Sequence, residues 1–438
     1  MNRFFYTVAI CLLSPGLIAW MALRAKRAGG QWQILSGERF GRYARRSKLH
    51  KPVWVHAVSL GETRAVQPFV QTLLERGDTV LLTHMTATGR DEGQRLFQEA
   101  IAAGQLAQQW LPYDFPGATR RFIKSYQPRA GVLMEREVWP NLLAAARRYQ
   151  VPMMLVSARF SDQALRQSLR LGRVMRQALG SFHAVYAQTL QDAQRLEQAG
   201  AFAPRVSGNF KFEVSLPAQQ IREGQEFATH LGRKVVAIAS TREGEDEAFV
   251  RAIRHVFHRA ANQGRDLAEE VLFLLIPRHP QRFEEAAQLL EQAGLPFARR
   301  SRLVRTGEGA AVAARACQGE LVVLGDTLGE MSRYYAASHV AIVGGSFAKL
   351  GGQNFIEACA IGVPVIVGPH TRNFQQAVQD AIDEGAAIRA ASAAQAITQA
   401  LALLDDGPSL ARMGDAGVHW VRKHAGAVDR VVAALDQL

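Results

Sequence analysis

The sequence predicts an α/β protein of two parallel-sheet domains facing across a cleft, preceded by an apolar N-terminal helix. Three observations lead there. The chain has 438 residues, 48% of them hydrophobic, which is long for a single core. Strand-like apolar runs alternate with helix-like stretches in two successive series. Residues 4–23, FFYTVAICLLSPGLIAWMAL, form twenty uncharged and mostly apolar positions.

That opening run is long enough for a helix to cross a hydrocarbon layer of roughly 30 Å, although Pro15 and Gly16 interrupt it. A cleaved signal peptide would need a stronger basic start than Arg3 alone and an AxA-like site, and neither is present. A buried core helix is the other alternative to a spanning or deeply embedded anchor. Behind the run, Arg24, Lys26, Arg27, Arg39, Arg42, Arg45, Arg46, Lys48 and Lys51 stand against Glu38 alone. By the positive-inside rule the body of the protein is expected on the cytoplasmic side of the membrane.

Charge is divided unevenly. Residues 1–210 carry 28 Lys+Arg against 13 Asp+Glu, while residues 211–438 carry 24 against 26, so the formal net charge of +13 comes from the N-terminal half. A polybasic stretch beside an apolar anchor suits an anionic lipid surface. Nucleic acid is not expected, because no recognition helix, zinc module or aromatic-interleaved strand accompanies the charge. Cys11, Cys317 and Cys359 have no CxxC spacing, which excludes a clustered thiolate metal site and a disulfide scaffold.

The first series of expected strands is VWVHAV at 53–58, TVLLTH at 79–84, RAGVLM at 129–134, VPMMLVS at 151–157 and FHAVYAQ at 182–188. Helices are expected across 62–76 and 89–103, from Trp139, and up to Gly200. The second series is KVVAIAS at 234–240, VLFLLIPRH at 271–279, LVVLG at 321–325, VAIVGG at 340–345 and VPVIVG at 363–368, with helices over 245–261 and 284–293. Such near-continuous apolar runs suit strands covered by helices on both faces. VSGNFKFEVSLP at 206–217 reads as the junction, the Ala-rich stretch 386–404 as an ordinary helix, and residues 418–438 as helical and able to pack back on the first domain.

Chemistry-bearing residues gather where strands end. In HAVSLGET, Glu62 follows the first strand, where a carboxylate in a crevice can accept a proton; equally, it can stabilise the first turn of a helix. MEREVWPN places Glu135 and Glu137 around Arg136 at another strand end. In LLIPRHPQRF, Arg278 lies between two prolines, where a guanidinium can clamp a phosphate or simply pair with an acid. In GDTLGEM, Gly325 and Gly329 permit close approach of backbone amides to a ligand. GGSFAKLGGQNFIEACAIGVPVIVGP ends a strand and opens a helix with Asn354 and Glu357, spaced for phosphate binding or for a capping box. No Walker A, GxGxxG, HExxH or GxSxG motif competes.

These motifs, together with HMTATGR, LPYDFP, SARFS, GNFKFE, STREGE and GPHTRNF, occur in an order that closely resembles the Kdo (3-deoxy-D-manno-octulosonic acid) transferase family along nearly the whole chain. The resemblance implies a GT-B-like pair of Rossmann-like domains. It also implies metal-independent, inverting transfer of Kdo from CMP-Kdo to the lipid A precursor lipid IVA at the bacterial inner membrane, with no cofactor beyond the donor. It makes Glu62 the general base and places Glu135 in the acceptor and catalytic region. Arg278, Gly329, Glu330, Asn354 and Glu357 fall on the nucleotide side, and Lys211 in GNFKFE is suited to the donor carboxylate or phosphate. The implied division is an anchor at 1–23, a basic segment at 24–51, an acceptor-binding domain at 52–208, a linker at 209–216, a CMP-sugar-binding domain at 217–420 and a C-terminal helix at 421–438. Another nucleotide-sugar transferase or an epimerase of the same architecture is the alternative enzyme, and a membrane-bound nucleotide sensor is the non-enzymatic one.

The chain departs from the usual family pattern at Arg136 (threonine is usual), Arg242 and Gln353 (both usually histidine) and Phe355 (usually proline). Glutamine forms hydrogen bonds but does not titrate, so position 353 carries no proton here.

Overall fold

A computed structural model describes residues 1–438 except 29–31, 44–48, 215 and 306–308. Arg45, Arg46 and Lys48 of the basic segment, and one position of the expected linker, therefore lie outside the described residues. The chain forms two compact units, Met1–Glu213 with His424–Leu438, and Val214–Lys423.

The first unit is built on seven parallel strands: β1 (Val53–His56), β2 (Val80–His84), β3 (Leu106–Trp110), β4 (Ala130–Met134), β5 (Met153–Ala158), β6 (Ala184–Ala187) and β7 (Arg205–Val206), in the order β3-β2-β1-β4-β5-β6-β7. The central strands alternate their side chains between two buried faces: in β1, Val53 and Val55 enter one cluster, and Trp54 the other. The helix Ala427–Leu435 completes the first of these clusters with Val428, Val431 and Leu435. Residues 209–213 also belong to this unit, because Phe210 and Phe212 are buried in a 3₁₀ turn. The polar-centred β3 escapes sequence reading because it is an edge strand, with Ala107, Gln108 and Gln109 only half-buried.

The second unit repeats the design with β8 (Lys234–Thr241), β9 (Val271–Pro277), β10 (Phe297–Arg299), β11 (Val322–Leu324), β12 (Val340–Val343), β13 (Val365–Val367) and β14 (Ala387–Arg389), ordered β10-β11-β9-β8-β12-β13-β14. The stretch 386–404, expected as one helix, divides into β14 and the helix Ala393–Asp405, whose N-cap Ser392 accepts from Gln395 N. Phe355 is fully buried and stacks on Trp420, with ring centroids 5.5 Å apart.

The N-terminal helix spans Arg3–Ala28, and its Arg3–Leu23 portion is long and apolar enough to cross a membrane by length and composition. Pro15 has no N–H for the Cys11 carbonyl, and the Ser14 hydroxyl donates to that carbonyl instead, at 2.8 Å. Both flanks of the helix are fastened to the first unit. At its start, Val174 N donates to Met1 O (3.0 Å), and within its first turns Tyr6 OH donates to Asp114 Oδ2 (2.9 Å) and Thr7 Oγ1 to Asn141 Oδ1 (3.0 Å). Behind it, Trp110 Nε1 donates to Gln33 Oε1 (2.8 Å), and the buried Arg39 guanidinium lies 4.1 Å from the Trp110 ring centroid. Leu12, Leu13, Leu17 and Trp20 remain exposed.

Candidate active site

In an open parallel sheet, ligands bind beyond the carboxyl ends of the strands where the strand order reverses. In the first unit that point lies between β1 and β4. Glu62 follows β1 and Glu135 follows β4 directly, so the topology brings together two carboxylates far apart in sequence.

Glu62 sits in the first turn of the helix Leu60–Ala65, behind the N-cap Ser59. Its Oε2 accepts from Val58 N (2.8 Å) and its Oε1 from Ser59 Oγ (3.3 Å). The helix-start role anticipated for it is therefore real. Burial pushes its carboxyl up to about 8, the charge of Glu135 adds to this, and the bonds from Val58 and Ser59 oppose it. A carboxyl raised to near-neutral pH fits proton exchange.

Glu135 adopts φ +52°, in the left-handed region that costs a non-glycine residue roughly 1 kcal/mol or more. Its N–H still donates to Val156 O at 3.0 Å, so β4 stays paired with β5 while the side chain turns out of the strand. Oε1 lies 3.2 Å from Lys211 Nζ. Lys211 is itself positioned: Asn209 Oδ1 accepts from its N–H (3.0 Å), Phe210 N donates to Ser157 Oγ (3.1 Å), and Phe210 packs on Phe69. Glu137 turns elsewhere, accepting from Trp139 Nε1 (2.8 Å) and lying 3.7 Å from Nε2 of the buried His56. The other nitrogen of His56 lies 3.0 Å from the Thr83 carbonyl and 2.9 Å from the Thr83 hydroxyl.

In the second unit the order reverses between β8 and β12. Arg278 stands at the end of β9, beside β8, with its N–H donating to Thr241 O at 2.9 Å. The fully buried Tyr335 phenol is pushed upward by burial, raised further by Glu357 and lowered by Arg278, so both charges act on one ring. Glu357 accepts from Ser332 Oγ, and burial raises its carboxyl. The capping box considered for Asn354 and Glu357 does not form: the N-cap is Phe355, Asn354 Oδ1 accepts from Ile356 N (3.1 Å), and Glu357 turns to Ser332. Ser332 lies two residues beyond Glu330, which accepts from Arg300 Nη2 (3.1 Å), Arg333 Nη1 (2.6 Å) and Thr327 Oγ1 (2.5 Å). Gly329 has φ +78°, open space at its Cβ position, and its carbonyl on Gln220 Nε2 (2.9 Å).

Sequence reasoning missed Glu245. Its buried carboxylate accepts from the backbone amides of Arg242 (2.9 Å), Gly345 (2.6 Å), Phe347 (2.8 Å) and Ala348 (2.9 Å). Three of these amides, from Gly345, Phe347 and Ala348, lie in the glycine-rich loop that looks attractive for phosphate on sequence grounds, and are thus occupied by the protein's own anion. A Cβ on Gly344 would come within 2.7 Å of Thr241 Cα, so the close wrap requires glycine. Beside it, the buried Asp246 accepts from Thr241 Oγ1 and from Arg282 Nε (3.0 Å). The signal was available in STREGE and HPQR, but the partners lie up to 103 residues away. Of the anticipated residues, Glu62, Glu135 and Lys211 belong to the first unit, and Arg278, Gly329, Glu330, Asn354 and Glu357 to the second.

Comparison with known proteins agrees with this layout. The family model for 3-deoxy-D-manno-octulosonic-acid transferase (kdotransferase) matches residues 36–214. A 3-deoxy-D-manno-octulosonic acid transferase of Bordetella pertussis is 57% identical over 439 residues, covering 100% of this chain and 99% of that protein. One from Haemophilus influenzae is 29% identical over 443 residues, covering 99% and 98%. Among solved structures, a UDP-GlcNAc 2-epimerase from Neisseria meningitidis bound to UDP-GlcNAc matches with a TM-score of 0.53 at 14% identity, over 88% of this chain and 100% of that one. That last likeness is one of fold, a GT-B-like pair of Rossmann-like halves.

Proposed function

The chain belongs to the 3-deoxy-D-manno-octulosonic acid (Kdo) transferase family, and from that premise we propose how its residues divide the work. It is a glycosyltransferase that transfers Kdo in lipopolysaccharide biosynthesis. The donor we assign is CMP-Kdo and the acceptor lipid IVA. The observation that carries the assignment of roles is Glu62, a carboxyl raised to about 8 at the switch point of the first sheet.

In the proposed reaction Glu62 takes the proton from an acceptor hydroxyl. That oxygen forms a bond to the anomeric carbon of Kdo as the bond to the CMP phosphate breaks, and the configuration inverts. Arg278 neutralises the departing phosphate, so no metal is invoked, and Gly329, Glu330, Asn354 and Glu357 shape the nucleotide side. Lys211, now on Glu135, exchanges that partner for the donor carboxylate. Glu135 tunes Glu62 through its charge.

The N-terminal helix fits a membrane anchor. We place it in the inner membrane with both units cytoplasmic and the basic N-terminal half on anionic lipid. The fastening of both helix flanks to one unit favours embedding from a single face. The direct test is incubation of the purified protein with lipid IVA and CMP-Kdo, followed by mass analysis of the lipid. Mass increments of whole Kdo units are expected; an unmodified lipid alongside an active control transferase would overturn the assignment.

A further inference from the structure

We propose that Arg3, Arg120 and Arg148 form a binding site for the phosphodiester headgroup of an anionic glycerophospholipid, at the foot of the N-terminal helix. The three guanidinium-bearing residues line a cavity of about 360 Å³ with Phe4, Thr7 and Asn141. They come from three separate elements: the N-terminal helix and the helices Pro116–Tyr126 and Pro140–Arg148. Among the described residues none of the three has a carboxylate at ion-pairing distance. Other exposed arginines of the unit, such as Arg147 and Arg166, also lack an acidic partner among the described residues, and what singles out these three is their convergence on one cavity.

The nearby acid, Asp114, feels the charge of Arg3 but forms no ion pair with any of the three. It is buried, and its oxygens are taken by Tyr6 OH (2.9 Å), Asn141 N (3.0 Å) and Leu142 N (2.8 Å). The three guanidinium groups are exposed, so water screens their repulsion, and a phosphate entering the cavity offers them directed acceptors that water does not. The lining also includes Phe4, which is 69% exposed, and Phe5, Val8 and Leu12 of the same helix are exposed too. A soluble phosphate has no use for that apolar strip, whereas the acyl chains of a lipid can lie along it. Glu62 and Glu135 do not line this cavity, so it is separate from the proposed reaction site.

The inference rests on the membrane-anchor reading, and the two are separable by experiment. The full-length protein in a nonionic detergent is titrated with dioleoylphosphatidylglycerol or dioleoylphosphatidylcholine, and retained lipid is counted by native mass spectrometry. The expected result is retention of one phosphatidylglycerol and no comparable phosphatidylcholine, weakened by about 10–30-fold in R120Q/R148Q. The charge-matched control R147Q/R166Q, at two exposed positions outside the cavity, should retain the lipid. Equal loss in both double variants, or no headgroup preference in the unaltered protein, overturns the site. Displacement by millimolar inorganic phosphate assigns it to a soluble anion and overturns it as well, as does one-for-one displacement by lipid IVA, which would make it an acceptor subsite. Failure of the anchor reading shows separately, as full-length protein that does not sediment with neutral vesicles.

Discussion

Lys211 Nζ lies 3.2 Å from Glu135 Oε1 across 76 residues of sequence, and Glu135 is the charge that most raises the carboxyl of Glu62. The pair therefore reaches the proposed base electrostatically. Lys211→Met leaves Glu135 uncompensated, so Glu62 should titrate higher and the rising limb of kcat/KM should move to more alkaline pH. Glu135→Gln should move it the other way. Superimposable pH profiles for both variants would end this account.

Glu62→Gln should lower kcat by about 10²–10⁴-fold, the usual contribution of a positioned base. The same substitution should stabilise the first unit at alkaline pH. Glu62 rises from 4.5 to about 8 on folding, so the folded state holds its proton more tightly than the unfolded chain. Stability from this group is complete below 4.5 and is lost as pH climbs to about 8. Discounted for partial exposure, the effect is roughly 1–3 kcal/mol. Thermal melts should separate variant from parent at pH 8.5 and converge near pH 4.5; a variant less stable throughout would contradict the sign.

Arg278→Ala should raise the KM for CMP-Kdo by about 10–100-fold, the worth of a charged hydrogen bond to phosphate, and leave the acceptor KM unchanged. Its guanidinium stands at a strand end whose backbone is held by Thr241 and flanked by Pro277 and Pro280, so the fold should survive. An unaltered donor Kd in a folded variant removes Arg278 from the nucleotide side.

Glu245→Ala would leave the amides of Arg242, Gly345, Phe347 and Ala348 without their acceptor and should destabilise the second unit by about 3–5 kcal/mol. Glu245→Gln, which keeps a carbonyl acceptor but loses the charge, should fall between variant and parent. Denaturant midpoints of the three proteins supply the ranking, and a neutral Glu245→Ala would mean that the loop holds its shape without the carboxylate.

Deleting residues 1–23 should release the protein from neutral vesicles and leave salt-sensitive binding to anionic ones. It also removes the Tyr6 hydroxyl from Asp114, so the first unit should melt earlier by about 1–2 kcal/mol. Equal binding to both vesicle types without a salt response would reject the electrostatic component.

Fully buried strands were readable because their residues are apolar on both faces: β1, β4, β9 and β12 coincide with continuous runs. The strands β3, β10 and β14 were not, since edge positions tolerate Gln108, Gln109, Arg299 and Arg389. Glu62 and Glu135 were legible as acids at strand ends, but their nearness depends on strand order, which no local pattern states. The role of Glu245 was hidden for a related reason. A loop of glycines reads as an open anion receptor, and only the fold reveals that the protein supplies the anion.

On the proposed anchor reading, the fastening of the N-terminal helix at both ends would turn the membrane into a ruler. An anchor joined through a free linker lets its enzyme sample many heights above the bilayer. Here Tyr6 holds Asp114 from the first turns of the helix and Gln33 holds Trp110 behind it, so on that reading the strand ends carrying Glu62 and Glu135 would keep one elevation. The proposed lipid acceptor would then be chosen partly by how far its sugar stands out of the hydrocarbon. Changing the depth of the helix, by moving its aromatic residues or by thinning the bilayer, should alter acceptor preference without touching a single residue that meets the sugar.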